Sequence, residues 1–317
     1  MIELNYDEVF SYTNYINSHI KDFFSLKKQG VIFGQNIISG SRISGLGKDL
    51  ENIPDVKAIN TTNSENSLMG LGLGLSLGGT PSMFIMKQHD FALLGLDQLT
   101  NSVNLIQHFG FRESFIIIMV VVDSGFEGPQ ASLNNLDEFV SLSRQPVYFL
   151  NSKQNIENAF NEARKPGLHM MVLSQKHMKS PILNLPNGVL NSANSLLDNS
   201  VKSKNLLIYT GFDTEFIEQL LLRAESLGTT FDLFLNCQIP FQDSYYGECS
   251  PQEYLRIAYI QDTKSLFTAS HTEALKITTK NNDVRVFTRV PNKSWSSVYH
   301  DIPEYTAEEV IRYVTQE

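Results

Sequence analysis

Residues 60–105 read NTTNSENSLMGLGLGLSLGGTPSMFIMKQHDFALLGLDQLTNSVNL. One carboxylate, Glu65, stands among polar neighbours, and Gly70, Gly72, Gly74, Gly78 and Gly79 then alternate with Leu and Met residues. Each glycine costs a helix about 1 kcal/mol relative to Ala, so only close packing can hold a helix here. The stretch reads as a buried helix over 64–77, N-capped near Asn63 or Ser64, with Glu65 in its first turn. Gly78-Gly79 and Pro81 end it. Pro81 to Met86 then reads as a strand, and Gly95 to Gln107 as a helix. By itself, a carboxylate ahead of such a helix caps the dipole and faces water. The residues that follow argue for a different role.

The gapless run Ser64-Glu65, Gly70 to Gly79, Pro81 to Met86, Phe91 and Asp97-Gln98-Leu99-Thr100-Asn101 resembles the beta subunit of the thiamine diphosphate (ThDP) dependent component of 2-oxo acid dehydrogenases, in the transketolase superfamily. Weaker similarity extends over nearly the whole chain. The resemblance implies an α/β fold of two doubly wound domains. A pyrimidine-binding domain would cover 1–180, a linker 181–204, and a smaller transketolase-like C-terminal domain 205–317. It implies that Glu65 hydrogen-bonds the pyrimidine ring nitrogen and thereby activates the cofactor, that Phe91 stacks on the pyrimidine, and that Lys87 lies near the cofactor. Glu65 must keep a proton near neutral pH for this, and an apolar setting of Leu68, Met69 and Leu71 would help.

Two departures accompany the resemblance. After the strand Val31-Ile32-Phe33 and Gly34, relatives carry acidic residues that help pass protons between paired active sites, whereas Gln35-Asn36 stand here. In the loop 123–132, the usual acid–base His aligns with Ala131. His89, two positions before Phe91 and on the same face of an extended segment, is the substitute candidate for acid–base work on the substrate.

The Gly-Asp-Gly motif by which transketolase-like enzymes hold the diphosphate and Mg²⁺ does not occur in the chain. The resemblance therefore implies an alpha-type partner subunit carrying that motif and the Mg²⁺, with ThDP shared at the interface. A heterotetramer with contacts between two copies of this chain is expected, with an acyl-carrier domain as acceptor. The implied reaction is decarboxylation of a 2-oxo acid with transfer of the acyl unit. The alternatives are half of a split transketolase or a specialised carboligase moving a two-carbon ketol unit, and a non-catalytic stabilising subunit. The Asp97-Gln98-Leu99 helix favours the first.

The 317 residues suffice for two domains. Apolar content of 42% and charged content of 19% fit an ordinary globular chain, and the net charge of -9 opposes a nucleic-acid or anionic-membrane surface. Only Cys237 and Cys249 occur, without metal-ligand spacing, which suits free thiols in a reducing cytosol and no metal site on this chain. The apolar run Phe115 to Val122 is too short to span a bilayer and reads as a central strand of a parallel sheet. No signal peptide is expected.

Elsewhere, Tyr6 to Phe24 shows helical spacing of Val9, Tyr12, Ile16, Ile20 and Phe23. Ser39 to Glu51 reads as a mobile loop, and its Gly45-Leu46-Gly47-Lys48 lacks the spacing of a phosphate loop. Val147 to Leu150 and His169 to Leu173 read as strands around a helix over Asn155 to Ala163. Asn205 to Thr210, Glu215 to Ser226 and Phe231 to Leu235 form a βαβ unit. Strands over Ser265 to Ala269 and Val284 to Thr288, and a helix over Thr306 to Val314, complete the second domain.

Overall fold

The computed structural model describes residues 6–122, 136–184, 189–191, 203–239, 254–261, 283–288 and 305–315. A short strand β1 (Tyr6–Ser11) precedes helix α1 (Tyr12–Lys27), so the helix expected from Tyr6 starts six residues later. Ser11 ends the strand and caps the helix, its hydroxyl accepting from the Asn14 amide. Val9, counted into the helical stripe, is instead 81% exposed.

The first sheet has seven strands in the order β12-β6-β7-β5-β4-β2-β3. These are β2 (Gly30–Gly34), β3 (Val56–Asn60), β4 (Ser82–Met86), β5 (Ser114–Val121), β6 (Val147–Phe149), β7 (Gly167–Ser174) and β12 (Gln238–Ile239). All pair in parallel except β12, which lies antiparallel on β6. All eight residues of β5 are buried, because helices cover both faces. On one face α1 and α5 (Lys153–Glu162) pack on Ile116, Ile118 and Val120. On the other, α2 (Glu65–Leu77) and α4 (Leu136–Ser143) pack on Phe115, Ile117 and Met119. Alternate β5 side chains therefore serve opposite cores.

A second sheet has five strands in the order β14-β13-β10-β11-β9, built from β9 (Val189–Asn191), β10 (Asn205–Thr210), β11 (Asp232–Leu235), β13 (Arg256–Gln261) and β14 (Asp283–Thr288). Only β9 runs antiparallel. Helices α6 (Thr214–Leu227) and α7 (Ala307–Thr315) pack on it. β8 (Pro181–Leu183) pairs with β1, so 181–204, read as a linker, contains two strands. The expected strand over Ser265 to Ala269, the loop 123–132 with Ala131, and Cys249 lie outside the described residues.

Two local readings are corrected. Ser39 to Glu51 is a packed turn, with Ile43, Leu46 and Leu50 in the core and the Asn17 amide donating to the Leu46 and Lys48 carbonyls. Apolar residues at 43, 46 and 50 were masked by the surrounding Gly and Ser. The helix expected over Gly95 to Gln107 is split into a π-helical turn, Gln98–Val103, and α3, Asn104–Phe109.

Candidate functional site

The carboxyl ends of β2, β3 and β4 lie side by side, since Gly34 is in register with Asn60 and with Ile85. Ligands of open α/β sheets bind beyond such an edge. Three segments leave it: Gln35 after β2, the polar loop Thr61 to Ser64 leading into Glu65, and Lys87 to His89 after β4. Gly34 can make its exit only as glycine. Its φ is 150°, and a Cβ would lie 2.2 Å from the Ile85 carbonyl oxygen.

Glu65 is 5% exposed in the first turn of α2, so the water-facing alternative is excluded. The Gln35 side-chain amide donates to Glu65 Oε1 at 3.4 Å. Leu68 and Met69 are buried as expected, but Leu71 is 46% exposed and contributes no apolar wall. Asn60 accepts from the amides of Ile37 and Ile38 at 2.8 and 3.0 Å and donates to Ser39 Oγ, fixing the turn that carries Gln35. The Thr61 amide donates to the Gly34 carbonyl, and Thr61 Oγ1 is sealed from solvent without a hydrogen-bond partner among the described residues. Asn36 is exposed with φ 54°.

His89 to Gly95 forms a 3-10 helix, which corrects the extended geometry expected there. Its buried residues are His89, Ala92 and Gly95, the three-residue period of that helix, so His89 and Phe91 do not share a face. His89 is 2% exposed, with Nδ1 3.8 Å from Asp90 Oδ1. Burial raises the Asp90 carboxyl above its ordinary range, and His89 partly opposes this. Phe91 is half-buried and Lys87 is exposed. The far end of the 3-10 helix is what touches α2. A Cβ on Gly95 would meet Met69 at 2.6 Å and the Glu65 carbonyl oxygen at 3.5 Å.

Thus Glu65 and Gln35 are brought together, while Lys87, His89 and Phe91 are arranged around the following turn. Asn60, Thr61 and Asp90 escaped sequence reasoning. The signal for Asn60 was weak, because β3 is a short strand with Lys57, Ile59 and Asn60 exposed. A cavity of about 350 Å³ lies elsewhere, lined by β8 and the start of α6 and including none of these residues. Among the described residues no cluster of His, Cys, Asp or Glu could hold a metal ion, and no helix is long and apolar enough to cross a membrane.

With that geometry in hand, the chain aligns over 96% of its length, and 97% of the other's, with a solved structure described as "Split gene transketolase, inactive beta4 tetramer", at TM-score 0.67 and 13% identity. The fold is transketolase-like. No protein-family model and no curated protein sequence matches the chain.

Proposed function

We propose that this chain is the beta-type half of a split ThDP-dependent enzyme, supplying the pyrimidine side of a cofactor site that an alpha-type partner completes. The observation that carries the proposal is the buried Glu65 at the carboxyl edge of β2 to β4, its Oε1 accepting from Gln35. The residues present fit the pyrimidine half. The buried Glu65, with one oxygen held by Gln35, is the group that an aminopyrimidine edge would meet. The residues present do not supply the diphosphate half, which accords with the missing Gly-Asp-Gly.

ThDP, when bound, supplies the carbon nucleophile that attacks a substrate carbonyl. Glu65 would hydrogen-bond the pyrimidine nitrogen, with Gln35 donating to Oε1 and Oε2 left for the ring. Phe91 would supply the aromatic face for the pyrimidine, and Lys87 is an exposed cation on the same turn. His89, with Asp90 beside it, is the acid–base candidate for the substrate half.

The surface also suits a partner. Leu71, Leu94, Leu105 and Phe109 are exposed at 46, 63, 60 and 77%, and a Cβ on Gly74 would meet nothing within 4 Å. Exposed apolar residues in such number suit burial in a heterotetramer. The neighbour, whose beta chains alone are described as an inactive tetramer, supports the same reading.

The substrate we infer is a 2-oxo acid, with the acyl unit passed to a carrier, on the strength of the Asp97-Gln98 segment, whose Gln98 packs on Gly70 of α2. Ketol transfer is the second reading, favoured by the split transketolase neighbour. Glu65→Gln in the assembled enzyme is expected to lower turnover roughly 10²- to 10⁴-fold with either donor. Unchanged turnover would leave only a stabilising subunit. Comparing 2-oxo acid and ketose donors on the wild type separates the first two readings.

A further inference from the structure

The cavity of about 350 Å³ away from Glu65 lies where the turn after β7, strand β8 and the start of α6 meet, at the lower end of the range for small-molecule sites. Its apolar wall is made by Tyr12, Leu183 and Phe212, all buried. Three charged side chains complete the wall. Lys176 and Glu215 are 3.3 Å apart, and with Glu218 the described lining carries one positive and two negative side chains. Glu218 Oε1 accepts from the Tyr6 hydroxyl at 3.1 Å. Burial raises the Tyr6 hydroxyl above its ordinary range, and the neighbouring glutamates add to this, so Tyr6 stays neutral. His177 also lines the cavity. Its Nε2 is sealed from solvent and has no hydrogen-bond partner among the described residues, a state that buried polar groups seldom keep.

We propose that this cavity binds a small organic cation, a primary ammonium on an apolar or aromatic body. The ammonium meets Glu218, and the body lies along Tyr12 and Phe212. A carboxylate beside Glu218 is repelled, and an aromatic wall beside a carboxylate favours a cation over a neutral molecule. The site shares no residue with the Glu65 site and stands independently of the function proposed for it.

The test uses the full chain with benzylamine, benzyl alcohol and benzoate as probes, followed by ligand-observed NMR and calorimetry. Benzylamine is expected to bind saturably and benzoate not to bind, with Glu218→Gln weakening benzylamine roughly tenfold. A thermal melt establishes that the variant is folded. Should it fail to fold, the order of the three probes on the wild type decides. Absence of saturable benzylamine binding, benzoate or benzyl alcohol binding equally well, or unchanged benzylamine affinity in folded Glu218→Gln would each overturn the assignment.

Discussion

Gly72→Ala and Gly74→Ala, two residues apart on α2, are expected to change stability in opposite directions. A Cβ on Gly72 would lie 2.1 and 2.2 Å from Cε2 and Cζ of Phe115. Carbon atoms in contact settle at about 3.5–4.0 Å, so helix and ring must part by more than an ångström. Phe115 has no room to yield. It is fully buried, stacks on Phe33 at 6.4 Å, and sits in a strand paired on both sides, with Ser82 and Leu168. Overpacking of this kind costs about 1–3 kcal/mol, against a gain of about 1 kcal/mol from the helix propensity of Ala. The expected net loss is up to about 2 kcal/mol, toward the upper end because the overlap exceeds an ångström. Gly74 meets nothing within 4 Å, so Ala there should stabilise by about 0.4–1 kcal/mol. Urea denaturation of the isolated chain reads both. At typical slopes the Gly72→Ala midpoint falls by roughly 0.5–1 M while that of Gly74→Ala rises. Equal signs for the two variants, or a raised midpoint for Gly72→Ala, would refute the claim that Phe115 packs too closely on α2 for any side chain at Gly72.

Asn60→Ala removes the acceptor for the Ile37 and Ile38 amides and should cost roughly 1 kcal/mol; hydrogen exchange at those two amides should accelerate, and unchanged exchange would show that the turn carrying Gln35 is held otherwise. Burial, the larger effect, holds the His169 imidazole below its ordinary range, although the hydrogen bond between its Nε2 and the Lys165 carbonyl opposes this. The unfolded chain then binds more protons once pH drops below about 6.5, so stability falls with acidification, and His169→Gln should flatten that dependence between neutral pH and pH about 5.5 in urea midpoints.

The α/β class and the strands β4 and β5 were legible because both are continuous apolar runs, and the order of the strands was not. The depth of Glu65 was legible from the residues around it, though not from any one of them. Four features were hidden, each for a local reason. β1 was absorbed into α1 because Val9 happens to fall at a helical spacing, and the turn of 39–51 looked mobile because its three core residues are separated by Gly and Ser. The 3-10 helix at His89 has a period of three, which a pattern of two cannot detect in seven residues. The Gln35 contact to Glu65 joins residues 30 apart in sequence and depends on β2 and α2 meeting at one edge, which no local pattern encodes.

The half-site reading is tested most directly by titrating ThDP with Mg²⁺ into the purified chain in a calorimeter, alone and then with a partner bearing Gly-Asp-Gly. The expected result is no tight binding to the chain alone and saturable binding once the partner is present, with a changed binding enthalpy in Glu65→Gln. Tight, stoichiometric ThDP binding to the isolated chain, or an identical titration curve for Glu65→Gln in the assembly, would contradict it.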